Sequence, residues 1–117
     1  MARKPLLKCS FLIPMRRDRI LSDGKPHQIE CWFWLDDELY PFGGATQATK
    51  LYKGWYLDRE TRERITDESR KYFVAVERKR LNELRALLRQ AYAVFRQKCI
   101  YLSVAGHVEF VEGEKHA

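Results

Sequence analysis

Leu81-Asn-Glu-Leu-Arg-Ala-Leu-Leu-Arg-Gln-Ala-Tyr-Ala-Val-Phe95, with Cys99-Ile-Tyr-Leu-Ser-Val104 and His107-Val-Glu-Phe-Val111 after it, decides the architecture. In the first segment Leu81, Leu84, Leu88, Ala91 and Phe95 recur in steps of three and four, which puts them on one stripe of an α-helix. Arg80, Glu83, Arg85, Arg89, Arg96 and Lys98 take the other faces. Such a helix lies on a flat apolar surface with its far side in water. The second segment sets Ile100, Leu102 and Val104 against Tyr101 and Ser103, the alternation of a strand, and Gly106 lets the chain reverse into a return strand.

Upstream, residues 6 to 13 form an apolar run without a helical stripe, ended by Pro14. Both faces are mostly apolar, so this is expected to be a central strand. Residues 15 to 28 are polar, contain Asp23-Gly24 and read as a long turn, with Pro26 suited to opening a helix. Ile29, Trp32, Phe33 and Leu39 follow helical spacing, and the helix should stop near Leu39, where Pro41 restricts Tyr40 and Gly43-Gly44 follows. Residues 45 to 51 suit a second strand, interrupted at Lys53-Gly54 and resumed by Trp55-Tyr-Leu57. The polar stretch 58 to 64 reads as an exposed hairpin tip. In 71 to 77, Tyr72, Val74 and Val76 alternate with Phe73 and Ala75, a strand expected to be buried on both faces. The order predicts an α+β fold, a ferredoxin-like βαββαβ sandwich with an extra C-terminal β-hairpin strand. Residues 1–117 make a single domain, with 1–5 and 112–117 as flexible tails.

The chain of 117 residues is long enough for an ordinary core. It contains no apolar run of membrane-spanning length, and Met1-Ala-Arg-Lys-Pro lacks the apolar stretch of a signal peptide, so a cytoplasmic protein without membrane association is expected. Cys9, Cys31 and Cys99 are odd in number and lie outside any CxxC pattern, which argues for small buried apolar residues and against disulfides. The net charge of +6 and pI near 9.4 favour an anionic partner. With both helices on one side of the sheet, large residues remain on the other side, and a homodimer would cover them.

Phe42-Gly-Gly-Ala-Thr46, Gly54-Trp55-Tyr56, Asp67-Glu-Ser69 before a strand, Leu81-Asn-Glu-Leu-Arg85, Gln97-Lys-Cys-Ile-Tyr-Leu102 and Val108-Glu-Phe-Val111 together resemble a group of short bacterial proteins of ferredoxin-like type. The resemblance runs from about Leu39 onward and implies the fold, with no particular activity.

Arg16, Arg17, Arg19 and Lys25 cluster in the first turn beside His27. An imidazole next to cations suits metal-independent cleavage of RNA: the ring moves the proton of the 2′-hydroxyl and the cations stabilise charge at phosphorus. His27 is therefore the candidate catalytic residue, with His107 next. The amides of Gly43 and Gly44 can approach a phosphate, although a helix precedes them where a P-loop would precede a helix. Thr46, Lys50 and Trp55 complete the expected ligand-binding set. His27 and Cys31 lack a second metal-ligating pair, and neighbouring Asp36 and Asp37 diverge on a helix, so neither metal nor cofactor is expected. Trp32, Trp34, Tyr52, Trp55 and Tyr56 have the chemistry to stack on bases, yet Arg70-Lys-Tyr-Phe-Val-Ala-Val76 lacks the glycine and spaced aromatics of an RNA-recognition strand. The expected function is a small basic homodimer binding an anionic nucleotide or RNA-like ligand, with nuclease action on short or cyclic RNA such as cyclic oligoadenylate as its enzymatic form. The alternative is a non-enzymatic inhibitor or assembly subunit that binds a partner on the open sheet face.

Overall fold

The computed structural model describes residues 5–113. The expected tails lie largely outside the described residues. β1 (Leu6–Pro14), α1 (Ile29–Leu39), β2 (Thr46–Gln47), β3 (Tyr52–Leu57), β4 (Arg64–Glu77), α2 (Leu81–Val94), β5 (Ile100–Val104) and β6 (His107–Val111) follow one another, with short 3-10 turns after α1 and before α2. The strands form one antiparallel sheet in which β4, β1, β5 and β6 lie side by side, and β2 and β3 share the outer edge of β4. This is the ferredoxin-like α+β arrangement with β6 appended. Among the described residues, no helix is long and apolar enough to cross a membrane.

Register follows from the alternation. Cys9 and Phe11 of β1 stand beside Val74 and Tyr72 of β4 and beside Val104 and Leu102 of β5, and all six are buried against the helices. Leu84, Leu88, Ala91 and Phe95 supply the α2 side of this core and are fully buried, as their spacing predicts. Phe95 is its hub, with its ring 4.9 Å from Trp32, 4.9 Å from His27 and 6.4 Å from Trp34, centroid to centroid. The bidentate Arg85–Glu109 pair, at 2.7 and 3.0 Å, ties α2 to β6. Ala105 and Gly106, both with positive φ, form the tight turn between β5 and β6.

Five expectations are corrected. α1 buries Trp32, Leu35 and Leu39, while Ile29 and Phe33 point outward, because the buried stripe is rotated by about a residue from the one inferred. Pro26 does not open α1; it bridges Arg16 across the loop, and the helix begins at Ile29. β4 is fourteen residues long and buried on one face only: Phe73 and Ala75 are exposed because neither helix crosses to that side. The break in the second strand falls at 48–51, ahead of Lys53-Gly54, which pair regularly with β4. Asp58 is buried in the hairpin tip that was expected to be wholly exposed.

Truncating Phe95 to Ala should lower unfolding free energy by about 3–5 kcal/mol in a denaturant titration, since a fully buried ring leaves a cavity among other rings. A loss under about 1 kcal/mol would show that the cluster is not the centre of the core. His27 generates a pH test. Its Nε2–H donates to the Pro14 carbonyl at 2.7 Å, and its Nδ1 is buried without a partner. Burial above all, and the Arg17 charge in addition, hold the imidazole below its ordinary value of 6.5, against the raising effect of the Pro14 bond. The unfolded chain therefore takes up the proton first. Stability contributed by the neutral ring is complete above 6.5 and falls with pH until the folded-state value is reached. Melting curves from pH 8 to 5 should show this decline in the parent and a flatter profile in His27→Phe; parallel profiles would remove His27 as its source.

Candidate functional site

β1 pairs with β4 only from Ser69 to Glu77, with one further backbone bond from Met15 to Glu68, so the first part of β4 runs past its central neighbour and is paired by β3 alone. The result is a projecting hairpin in which every β3 residue is exposed. Side chains tie it to the body. The Tyr56 hydroxyl donates to Asp18 Oδ2 at 3.1 Å, Lys98 Nζ donates to Asp58 Oδ2 at 3.1 Å, and Arg19 pairs with Glu63. Asp58 also shapes the tip, accepting through Oδ1 from the Glu60 amide at 2.9 Å and the Thr61 amide at 3.4 Å. The Glu60 amide first, then Lys98, and more weakly the Thr61 amide, hold its carboxyl below the usual carboxylate range.

Beneath the tethered hairpin lies a cavity of about 680 Å³, a size suited to a small ligand. Leu12, Pro14, Tyr101 and Phe110 come from the open sheet face, and Tyr52, Gly54, Tyr56 and Asp67 come from the hairpin. Asp18, Gln97, Lys98 and Cys99 close the far side. Gln97 is fixed by donating to the carbonyls of Arg16 and Phe95, each at 2.8 Å. Asp18 Oδ1 accepts from the amides of Ile20 at 2.9 Å and Leu21 at 2.8 Å, which orients Oδ2 toward Tyr56. Burial first, then the Asp18 charge and hydrogen bond, push the Tyr56 phenol up. Burial and the same Asp18 charge push the Asp67 carboxyl up. Asp18 and Asp67 thus meet at a chamber whose surface is mainly aromatic and aliphatic, with Asp58, Glu60, Lys53, Arg59 and Lys98 also lining it, and a cation placed between the first two would relieve their repulsion. A second hollow of about 540 Å³, with Met15, Arg16, Pro26, Leu51 and Thr66, lies across the hairpin; Lys53 and Asp67 touch both.

The expected residues are dispersed. Arg17 holds Asp23 through two bonds at 2.7 and 2.8 Å, and that guanidinium lowers the Asp23 carboxyl to about 2. Arg16 turns to the Gly24 carbonyl and lines the second hollow, Arg19 is engaged by Glu63, and Lys25 is exposed. His27 sits edge-on to Trp32 and Phe95 and does not itself line the cavity, although its ring holds the carbonyl of Pro14, which does. His107 is exposed at the start of β6. Gly43 and Gly44 make an exposed left-handed turn after α1, with Thr46 and Lys50 exposed beyond it. Trp55, with the Arg64 guanidinium 5.3 Å from its ring centre, lines the cavity. The sequence flagged Tyr52 and Tyr56 as stacking candidates; Asp67 appeared only in Asp67-Glu-Ser69, a pattern read for fold, and Asp18 sits in a polar stretch without a motif. Among the described residues, no group of His, Cys, Asp and Glu is arranged to hold a metal ion.

No protein-family model matches the chain, and no curated protein matches its sequence. Two solved structures share the fold. A phage SAM lyase in complex with S-methyl-5′-thioadenosine superposes with a TM-score of 0.71 at 11% identity, covering 100% of this chain and 97% of that one. A phage SAM lyase in its apo state gives 0.63 at 11% identity, covering 100% of this chain and 98% of that one.

Proposed function

We propose that the cavity binds an adenosine-type nucleoside whose 5′ substituent carries a sulfonium cation, and that it cleaves the carbon–sulfur bond of that ligand. The observation that carries this reading is that Asp18, from the first loop, and Asp67, from the hairpin, meet at a chamber whose surface is mainly aromatic and aliphatic, with Asp58, Glu60, Lys53, Arg59 and Lys98 also lining it. Faces of Tyr52, Tyr56, Tyr101 and Phe110 offer stacking for a base and cation–π attraction for a sulfonium. In a partly desolvated site Asp18 and Asp67 attract a cation more strongly than they would in water. The complex of the phage SAM lyase with S-methyl-5′-thioadenosine supports the same ligand class. That thioether is what remains when an S-adenosyl sulfonium loses its amino-acid arm: the electron pair of the carbon–sulfur bond passes to sulfur, whose positive charge disappears, while the carbon it leaves takes a new bond from the arm's own carboxylate oxygen and closes a lactone, so that no co-reactant is needed. Carboxylates beside the sulfur therefore serve binding of the substrate and favour release of the neutral product.

Purified protein given S-adenosylmethionine should yield S-methyl-5′-thioadenosine by chromatography. Asp67→Asn should weaken binding of S-adenosylmethionine roughly 10-fold to 100-fold, the worth of one charge-assisted contact, and change affinity for the thioether far less. Equal losses for the two ligands in calorimetry would remove the charge argument, and no binding of either would sink the nucleoside reading. Metal-independent cleavage of linear or cyclic RNA, abolished by His27→Ala, would favour the anionic-ligand alternative instead.

A specific observation also favours self-association. Phe73, Val108 and Phe110 are 42%, 52% and 64% exposed, and their alternation places them on the face that neither helix covers. Light scattering at tens of micromolar should give twice the 14.0 kDa chain mass, reduced to a single chain by Phe73→Glu. A single-chain species in the parent would overturn the dimer.

A further inference from the structure

Gly54 stands in the middle of β3, opposite Asp67 of β4. Its φ lies outside the left-handed region, and a β carbon built on it meets nothing within 4 Å. Neither backbone geometry nor packing therefore requires glycine here. A strand is also a poor place for one, because glycine loses the most conformational freedom on folding and makes no cross-strand contact. By alternation Tyr52, Gly54 and Tyr56 share a face of the hairpin with Asp67, and all four line the cavity. The space that a side chain at position 54 would take is thus part of the cavity, flanked about 7 Å to either side along the strand by tyrosines.

We propose that Gly54 determines which ligands the cavity admits: its missing side chain keeps open a slot between Tyr52 and Tyr56 through which a ligand reaches the Asp67 carboxylate. The inference rests on the nucleoside reading above and names the position that sets the width of that site. Any side chain at 54 shortens the slot while leaving the ladder to β4 intact, so affinity and stability should move in opposite directions.

The experiment measures melting temperature and calorimetric affinity for S-adenosylmethionine and S-methyl-5′-thioadenosine in the parent, Gly54→Ala and Gly54→Val. Melting temperatures of both variants should equal or exceed that of the parent, since alanine and valine suit an extended backbone better than glycine. Affinity for both ligands should fall, modestly for Ala and on the order of 10-fold to 100-fold for Val, as for a side chain forced into filled space. A fall in melting temperature for Gly54→Ala would show that the glycine serves the fold and would overturn the inference. Parent-like binding by Gly54→Val would overturn it as well, leaving the nucleoside reading in place. Failure of the parent to bind either ligand would overturn both.

Discussion

The molecule depends on a mismatch in length between two neighbouring strands. β4 has fourteen residues and β1 nine, and Pro14 ends β1 where the outer part of β4 continues. Backbone groups of a strand need partners, and past Glu68, whose carbonyl accepts from the Met15 amide, the outer part of β4 pairs with β3 alone. The overhanging ribbon would be marginal in isolation. Its tethers, Tyr56 to Asp18, Lys98 to Asp58 and Arg19 to Glu63, hold it over the uncovered face of the sheet. The cavity is the space enclosed by that arrangement.

Charge in this protein is informative by placement more than by sum. A net +6 draws attention to the arginine-rich first loop, but there Arg17 is consumed by Asp23 and Arg19 reaches across to the hairpin. The cations organise a loop that contains little apolar material of its own. In the chamber beside them Asp18 acts at once as a turn former, an acceptor for Tyr56 and a negative neighbour of Asp67. One residue thus couples the shape of the loop to the electrostatics of the candidate site.

Elements with one-sided burial were readable in the sequence. The α2 stripe and the β5 alternation each report a constant environment along their length and match the structure, whereas β1, read as central from apolar residues on both faces, is central but buries only Cys9, Phe11 and Ile13 on one face. β4 was only half readable, because its first residues, Arg64 to Arg70, belong to a ribbon wet on most sides and carry no apolar alternation. Phe33 misled for a related reason: its size suggested burial, whereas Leu35 faces the core. His27 looked electropositive because its neighbours in sequence are arginines, yet its neighbours in space are Trp32 and Phe95. Asp18 and Asp67 come together only through the overhang and the register of β3 with β4, neither of which has a local signature. Gly54-Trp55-Tyr56, Asp67-Glu-Ser69 and Gln97-Lys-Cys-Ile-Tyr-Leu102 stood out in the sequence and all contribute lining to the cavity, but nothing in them showed that they meet.

The central position of β1 also shapes how the chain finds its fold. The first strand in the sequence pairs on one side with residues 69–77 and on the other with 102–104, so its partners lie far along the chain. Loop closure over such separations must precede the reward of pairing, which slows folding relative to chains rich in local contacts. During synthesis the apolar run from Leu6 to Pro14 has no completed sheet to join until β5 has left the ribosome. The β3–β4 and β5–β6 hairpins and α2 are local and can form early, whereas the sheet closes last, when β1 is inserted between strands made long after it.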